Sequence, residues 1–247
     1  MHSSTQALGV FEVDLHDLWY KLIAIAKVTP AKDAEADRIV AQVVRLRELG
    51  PLTHKDTGKE TVMSNGQRLW SDLPFLEEDL YKAWTDGLHT MTPSQRENLA
   101  GFMTRLVGSN ACGDGIASCA LRLFRAALET SEESPSTDGP ASEYLLSALF
   151  TWLYWGSFKI WKLSVFGAPL TPEARLNAMD SNWGDVGDLG IAAGVEEKGF
   201  IEKRLRFWIT RLEGIAAHVA EKDSTLSDMC KWSAALLSQW YDTMNRG

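Results

Sequence analysis

The sequence predicts an all-α fold, a single helical domain of about eight to ten helices around an aromatic-rich core. Apolar residues recur at i, i+3, i+4 and i+7 along most of the 247 residues, which is typical of amphipathic helices. No segment alternates apolar and polar residues for long enough to predict a strand. Capping signals such as Thr92-Pro93-Ser94-Gln95 separate one helical segment from the next. Together these observations favour helices over sheets.

Chain length and composition favour one domain. A chain of 247 residues fits one large domain or two small ones, and we expect residues 1–247 to form one. The segment 130–140 is rich in Ser, Glu, Pro and Gly, so it cannot bury apolar surface and is predicted to be a mobile loop. If the chain has two halves, they are 1–129 and 141–247, joined by this loop.

Each predicted helix has a physical signal at its ends. Thr29-Pro30 has a cap residue followed by a proline at the first helical position, and Gly50-Pro51 ends the same helix. Polar, glycine-rich stretches at 52–69 and 180–199 are expected to be loops. The predicted helices cover residues 11–27, 30–49, 73–87, 93–108, 116–129, 144–166, 199–219 and 226–244.

Residues 144–166 form the most apolar of these segments. They include eight aromatic residues, and no charged residue occurs from Tyr144 to Phe158. That uncharged run is shorter than the roughly 20 residues that a bilayer-spanning helix needs. We therefore expect a fully buried central helix that breaks or bends near Gly156.

Ten tryptophans are unusual for a chain of this length. Tryptophan has a large ring whose N–H requires a hydrogen-bond partner when it is buried. The interior is therefore expected to be thick and rich in aromatic side chains. In the C-terminal helix, the residues expected to face this interior are Met229, Trp232, Leu236, Leu237 and Trp240.

Charge and cysteine content limit the possible partners and location. The net charge is −8 and no basic cluster occurs, so we expect neither nucleic acid nor an anionic membrane surface as a partner. Cys112, Cys119 and Cys230 form no C-x-x-C pair, which favours a reducing compartment. The N-terminus lacks the basic start and long apolar run of a signal peptide. We predict a cytoplasmic protein.

No motif indicates a metal or a cofactor. The five histidines are not spaced as ligand pairs, and the H-E-x-x-H pattern is absent. The segment Gly184 to Gly190 fits neither a dinucleotide-binding loop nor an EF-hand, and is expected to be a turn-rich linker. There is also no G-x-S-x-G elbow and no Walker loop. We therefore predict that the protein uses no metal and no cofactor.

The helix that begins near Gly199 has three stripes rather than two. Leu205, Trp208 and Leu212 lie on a core stripe, and Glu202 and Arg206 lie on a solvated one. The third stripe mixes Phe with Arg, although an exposed face rarely has two Phe and a core rarely has two Arg. Either the Arg stems cover apolar surface at a rim, or the Arg groups face an aromatic cavity. The third stripe consists of Phe200, Arg204, Phe207, Arg211, Gly214 and His218.

A second helix has a similar polar and aromatic flank. Asn98, Phe102 and Arg105 share one side of the helix 93–108, beside its core stripe. If the two flanks face each other, they line one cavity; otherwise the likeness between the two helices is accidental. Trp152 and Trp155 of the aromatic segment are further candidates for this cavity.

The cavity hypothesis defines a set of candidate site residues. Arginine orients a charged or carbonyl group of a ligand, and aromatic rings hold its apolar part. His218 is a candidate acid or base because it is the one histidine on a candidate stripe, and imidazole is the side chain most often used in that role. The ligand-binding candidates are Asn98, Phe102, Arg105, Trp152, Trp155, Phe200, Arg204, Phe207 and Arg211.

Five segments of the chain resemble one known family. They are residues 70–75 (Trp-Ser-Asp-Leu-Pro-Phe), 98–106 (Asn-Leu-Ala-Gly-Phe-Met-Thr-Arg-Leu), 120–129, 152–161 and 199–208 (Gly-Phe-Ile-Glu-Lys-Arg-Leu-Arg-Phe-Trp). Together they resemble a family of fungal (filamentous ascomycete) helical proteins known only as a domain of unknown function.

The resemblance extends over about residues 37–245, and its most specific parts are the Leu-Pro-Phe turn and the helix after Gly199. The chain departs from the family at Leu205, where members often have Trp, and the position stays apolar. The resemblance implies a helical, cytosolic fungal protein. It carries no established catalytic residue that could be transferred to this chain.

Two kinds of function remain open from the sequence. The first is binding of an apolar or aromatic small molecule in an Arg-lined pocket, which extends to a cofactor-independent cyclase or isomerase of fungal secondary metabolism. The second is a non-catalytic protein–protein interaction module. A cavity between the helices 93–108 and 199–219 favours the first, and a solid core with an apolar surface favours the second. The sequence leaves the oligomeric state open.

Overall fold

The computed structural model describes residues 2–88, 90–131, 142–166 and 184–245, and the regular elements in these ranges are helices. A 3₁₀ turn, Asp114–Ala117, precedes α5, and a π-helical turn, Arg125–Glu129, follows it. The described residues contain no strand, only two isolated antiparallel bridges within the loop that follows α2. The all-α prediction is confirmed. The α-helices are α1 (His2–Val28), α2 (Ala34–Glu48), α3 (Leu76–Gly87), α4 (Pro93–Gly108), α5 (Ser118–Phe124), α6 (Ser142–Phe166), α7 (Asp188–Ala192), α8 (Glu202–Val219) and α9 (Ser224–Asn245).

Helix α6 lies at the centre of the fold. α4 packs along it, and α5, the π turn, α8 and α9 pack on its other sides. α1 and α2 pack on α4, and α8 pairs with α9. One apolar cluster runs from Leu15 to Leu237, so the described helices form a single domain. Segment 132–141, which contains most of the predicted mobile loop, lies outside the described residues. The aromatic core is confirmed by five fully buried tryptophans, Trp19, Trp84, Trp152, Trp161 and Trp208.

Helices α4 and α6 approach closely because a glycine lies between them. A Cβ atom at Gly156 would lie 2.6 Å from Cγ2 of Thr104. Thr104 is fully buried, and its hydroxyl donates to the carbonyl oxygen of Ala100 at 2.7 Å. α6 nevertheless runs through Gly156 without interruption, so the predicted helix break is wrong. Gly156 permits close packing rather than ending the helix.

The start of α2 differs from the prediction, whereas that of α4 agrees with it. α2 begins at Ala34, four residues after the expected first position, because the backbone of Ala31 is bound elsewhere. Its N–H donates to Oδ1 of Asn98 at 2.9 Å, and its carbonyl oxygen accepts from Nη2 of Arg105 at 2.6 Å. In α4 both hydrogen bonds of the predicted capping box are present, and the box starts at Thr92.

The turn before α3 has an unusual backbone. Trp70, Leu73 and Phe75 have φ angles of 67°, 49° and 66°, in the left-handed region that favours glycine. Each such residue costs on the order of 1 kcal/mol or more, so surrounding contacts must hold the turn. One is a buried hydrogen bond of 2.7 Å from Nε1 of Trp19 to the carbonyl oxygen of Pro74. α3 consequently begins at Leu76, after the Leu-Pro-Phe turn.

The prediction that helix α6 is fully buried is wrong, because one side of the helix is exposed. Tyr154, Phe158 and Phe166 recur at i, i+4 and i+12 on one stripe, and all three are exposed. Met229 and Trp232 of α9, predicted to face inward, are exposed as well. The predicted burial was wrong because a helical pattern of apolar residues predicts a packed side, whereas α9 covers only part of the apolar side of α6.

Two glycine substitutions test the close approach of α4 and α6. Gly156→Ala is expected to lower the free energy of unfolding by about 1–3 kcal/mol, because the buried Thr104 cannot move aside. Gly214→Ala in α8 is the control, since a Cβ there meets nothing within 4 Å. It is expected to raise the free energy of unfolding by about 0.5–1 kcal/mol. Urea unfolding followed by circular dichroism measures the free energy of unfolding of both variants. If it rose equally in both, α4 and α6 would not need glycine at position 156 for their packing.

Candidate functional site

Arg204, predicted to line a cavity or a rim, is fully buried in an ion pair with Glu129. Nε of Arg204 lies 2.7 Å from Oε1 of Glu129, and Nη2 lies 3.0 Å from Oε2. The remaining N–H groups donate to the carbonyl oxygens of Gly184 (2.9 Å), Gly199 (3.0 Å) and Asp185 (2.8 Å). A guanidinium has five N–H donors. All five are used within the protein, so none remains for a ligand.

Glu129 is the centre of this buried arrangement, and sequence analysis did not identify it. Its Oε1 also accepts from Nε1 of Trp208 at 2.6 Å, and its Oε2 accepts from the backbone N–H of Gly187 at 2.8 Å. A Cβ at Gly187 would clash with the backbone of Glu129, so only glycine permits this approach. We call Glu129, Gly187, Arg204 and Trp208 the buried junction. It joins the π turn, the segment before α7 and α8.

Arg105 and Asn98 attach the α1–α2 connection to α4. Nε of Arg105 lies 2.7 Å from Oδ1 of Asp37, and both Arg105 and Asn98 bind the backbone of Ala31. The guanidinium of Arg105 also stacks over the ring of Trp155, with its central carbon 3.8 Å from the ring centroid. The two polar residues therefore have structural partners, and Arg105 supports Trp155 from the protein side.

A third buried arginine follows the same pattern. Arg96 was not a candidate from the sequence, and it is fully buried. Its Nη2 donates to the carbonyl oxygens of Leu88 and Met91, both at 2.9 Å, and its guanidinium stacks over the ring of Tyr144 at 4.2 Å. Arg96, Arg105 and Arg204 thus all bind backbone carbonyls at connections between helices.

Four of the aromatic candidates pack into the core or against it. Phe102 and Trp152 are almost fully buried. Phe200 lies edge-on to Trp208 with 6.3 Å between ring centroids, and Phe207 is partly buried against the same core. α4 packs mainly on α6, whereas α8 packs mainly on α9. The two flanks predicted to face each other therefore face different neighbours.

The last two candidates lie further along α8. Arg211 is partly buried, and its Nε has no hydrogen-bond partner among the described residues. His218 is exposed in the last turn of the helix. α4 contacts mainly α6, α1 and α2, whereas α8 contacts mainly α9, so neither residue is grouped with Asn98, Phe102 or Arg105.

The structure instead brings aromatic rings together on the outside of α6 and α9. We call this set the aromatic surface; its side chains have relative exposures between 38% and 62%. The ring of Tyr154 lies 4.7 Å from that of Trp155 and 5.6 Å from that of Trp232. Only Trp155 among these residues was a candidate from the sequence. The aromatic surface consists of Tyr154, Trp155, Phe158, Phe166 and Trp232.

Partly buried neighbours fix the orientation of these rings. The ring centroid of Phe158 lies 5.0 Å from that of Trp240. Nε1 of Trp240 donates to Oγ of Ser157 at 3.1 Å. The buried Trp161 contacts both Phe158 (5.7 Å) and Phe166 (5.4 Å). Rings held in this way lose little conformational entropy when a further apolar group packs on them. The rings of the aromatic surface are therefore held in fixed orientations although they remain exposed.

A histidine–carboxylate pair lies next to the strained turn before α3. Nδ1 of His16 lies 2.9 Å from Oδ2 of Asp79, and the His16 ring lies 4.5 Å from that of Phe75. Burial raises the pKa of Asp79 above its ordinary value, and the hydrogen bond to His16 opposes this rise. The pair joins α1 to α3 and helps to hold Phe75 in its left-handed conformation.

The cysteines are free, buried thiols rather than nucleophiles or metal ligands. Burial raises the pKa of Cys112 and Cys119 far above the ordinary thiol value, and that of Cys230 to about 11. A thiolate is the reactive form, so these thiols are chemically quiet. Among the described residues, no group of three or more His, Cys, Asp or Glu side chains could hold a metal ion.

A family model described as "Protein of unknown function (DUF3632)" matches residues 19–212. The chain belongs to the DUF3632 family. This confirms the resemblance derived from the five segments. The DUF3632 match includes all four residues of the buried junction, but it ends before α9 and Trp232. The match also begins after His16.

One curated relative is the oxopyrrolidines biosynthesis cluster protein G of Penicillium oxalicum. It is 26% identical over 253 residues, which cover 95% of this chain and 68% of the relative. No solved structure matches this DUF3632 chain. No helix in the described part of the chain is long and apolar enough to cross a bilayer.

Removing one partner of the buried junction is expected to destabilise the protein strongly. Arg204→Met leaves Glu129 as a buried, uncompensated charge, at a cost of about 3–5 kcal/mol. Arg206→Met is the matched control two residues further along α8, because Arg206 pairs with Glu202 in an exposed i,i+4 contact. Its cost is expected to be less than about 0.5 kcal/mol.

The free energy of unfolding of both variants is measured in urea. The double variant Glu129→Leu/Arg204→Met is expected to recover part of the loss, because it removes both charges together. If Arg204→Met and Arg206→Met had equally small effects, the buried junction would not be a main source of stability.

Proposed function

We propose that this protein works in the biosynthesis of a fungal natural product and binds an apolar, aromatic small molecule on the aromatic surface. Two observations support the proposal. The Penicillium relative is named for a biosynthesis cluster. The ring of Tyr154 contacts those of Trp155 and Trp232 on the protein surface, and all three rings remain exposed. The second observation carries the proposal.

Exposed aromatic rings cost free energy that binding recovers. Burial of apolar surface stabilises by roughly 25 cal/mol per Å², so a contiguous set of exposed rings favours an apolar partner. Aromatic pairs add about 0.5–1.5 kcal/mol beyond this when they stack or meet edge to face. Trp155 is held by the guanidinium of Arg105, which reduces the entropy that a stacked ligand would have to remove.

A catalytic extension of this proposal is a cofactor-independent cyclase or isomerase. Such an enzyme needs an acid or base within reach of the bound ligand. His218 is the candidate for that role, since an imidazole can act as an acid or a base and His218 is exposed on α8. Turnover of a natural substrate that is unchanged in His218→Ala would remove this residue from the proposal.

The second candidate function is that of a protein–protein interaction module. The aromatic surface lies on the outer faces of two helices, and Trp and Tyr are enriched among the residues that dominate protein interfaces. The solid packing of α4 on α6 also favours this reading over an enclosed pocket. The three free, buried cysteines support a cytoplasmic location for either function.

Binding of 1-anilinonaphthalene-8-sulfonate, an apolar aromatic probe, tests the proposal by fluorescence titration. Tyr154→Ser and Trp232→Ser are each expected to weaken binding by about 3- to 10-fold, the loss of one stacking contact. Tyr20→Ser is the matched control, because Tyr20 is 73% exposed on α1, outside the aromatic surface.

Two results would contradict small-molecule binding at this surface. The first is probe affinity that stays equal in the wild-type protein, Tyr154→Ser and Trp232→Ser. The second is an equal loss in the Tyr20→Ser control, which would indicate non-specific binding. Native mass spectrometry of the freshly purified protein adds a direct check, because a bound natural ligand appears as a fixed mass increment.

A further inference from the structure

We propose that two copies of this chain pair through the aromatic surface, so that the rings of one copy face those of the other. The inference goes beyond the proposed function, because it makes a second copy of the chain an occupant of the aromatic surface. The argument depends on area, shape and charge.

The aromatic surface has about the area that a protein interface needs. An aromatic side chain offers about 150–250 Å², so five rings that are each about half exposed offer roughly 500 Å². Met229, exposed next to Trp232 along α9, extends the same surface. A standard interface buries about 800 Å² on each partner, with apolar and aromatic residues at its centre. The rings supply most of that centre.

The shape of the surface favours a second copy over a ligand alone. Small-molecule sites are concave and bury about 70–90% of the ligand. Tyr154, Phe158 and Phe166 lie along the outer stripe of one helix, so they can cover only one side of a flat ligand. A second aromatic surface supplies the opposite wall. A two-fold pair needs a surface that is complementary to itself, and interleaving rings meet that requirement.

The charge pattern allows this pairing. On α6 no charged residue occurs from Tyr144 to Phe158, and Lys162 is exposed between Phe158 and Phe166. On α9 the exposed Asp228 and Lys231, beside Met229 and Trp232, pair with each other at 3.5 Å. In a two-fold pair Lys162 can lie over a ring of the other copy in a cation–π contact. The net charge of −8 on each copy opposes association at long range. Salt screens that repulsion, so the pair is expected to strengthen as salt is added.

The exposed apolar residues of α1 have acidic residues among them. Val10, Val13 and Tyr20 are exposed on α1. Asp14 and Asp17 lie among them and are exposed as well. Carboxylates at the centre of an interface would have to lose their hydration, which is costly without a paired cation. α1 therefore provides the control surface.

Sedimentation velocity of the full chain over a range of protein concentrations tests the inference. The wild-type protein is expected to form a dimer with a dissociation constant below about 0.1 mM. Tyr154→Glu and Trp232→Glu are each expected to raise this constant by at least about ten-fold, since each substitution buries a charge between apolar rings. Tyr20→Glu is expected to behave as the wild type. A wild-type protein that stays monomeric up to that concentration, or a Tyr154→Glu variant that dimerises as strongly as the wild type, overturns the inference.

The same samples distinguish the inference from the proposed function. The inference is supported and the proposed function is contradicted if the wild-type protein dimerises without binding 1-anilinonaphthalene-8-sulfonate and Tyr154→Glu does not dimerise. A monomer whose probe binding is lost in Tyr154→Ser supports the proposed function and overturns the inference. If both hold, the probe is expected to bind more tightly to the dimer, because the second copy covers its other face.

Discussion

The fold depends on the ion pair between Glu129 and Arg204. Two charges taken from water cost several kcal/mol each, and only complete hydrogen bonding offsets that cost. Here both side chains are fully buried, and the guanidinium uses all its donors while the carboxylate accepts four hydrogen bonds. The bonds come from three separate parts of the chain, so the pair forms only when all three are in position. The buried junction thereby fixes α8 against the π turn that ends at Glu129.

The position of α8 has consequences for the aromatic surface. α9 pairs with α8 and reaches α6, so the buried junction indirectly decides which part of α6 is covered. Trp232 of α9 meets Tyr154, and Trp240 meets Phe158, but neither ring covers its neighbour completely. On the other side, Arg105 supports Trp155 through its guanidinium. Among the arginines that suggested a ligand site, Arg105 therefore supports an exposed ring from below.

This arrangement separates two roles that the sequence pattern combined. Arginine next to phenylalanine on a helix suggested a polar, aromatic cavity, because few ordinary surfaces or cores combine them. In the structure Arg204 and Arg105 bind backbone carbonyls at helix connections, and aromatic residues outside those stripes remain exposed. Binding at the surface of α6 and α9 is consistent with membership in a family of unknown function and with a relative named for a biosynthesis cluster.

The sequence by itself determined most of the helices, the α4 capping box at Thr92 and the core stripe of Leu205, Trp208 and Leu212, because these depend on residues three or four positions apart. It did not predict the short helix α7, which lies in the segment 180–199 that was expected to be a loop. Tertiary structure decided what those helices meet. Glu129 and Arg204 are 75 positions apart, and no local pattern connects them. Periodicity also predicts that an apolar stripe is packed, and it cannot report that α9 leaves part of α6 uncovered. The burial of Arg204 and the exposure of Tyr154 were therefore settled only by the packing of distant segments, because burial depends on neighbours that the local sequence does not contain.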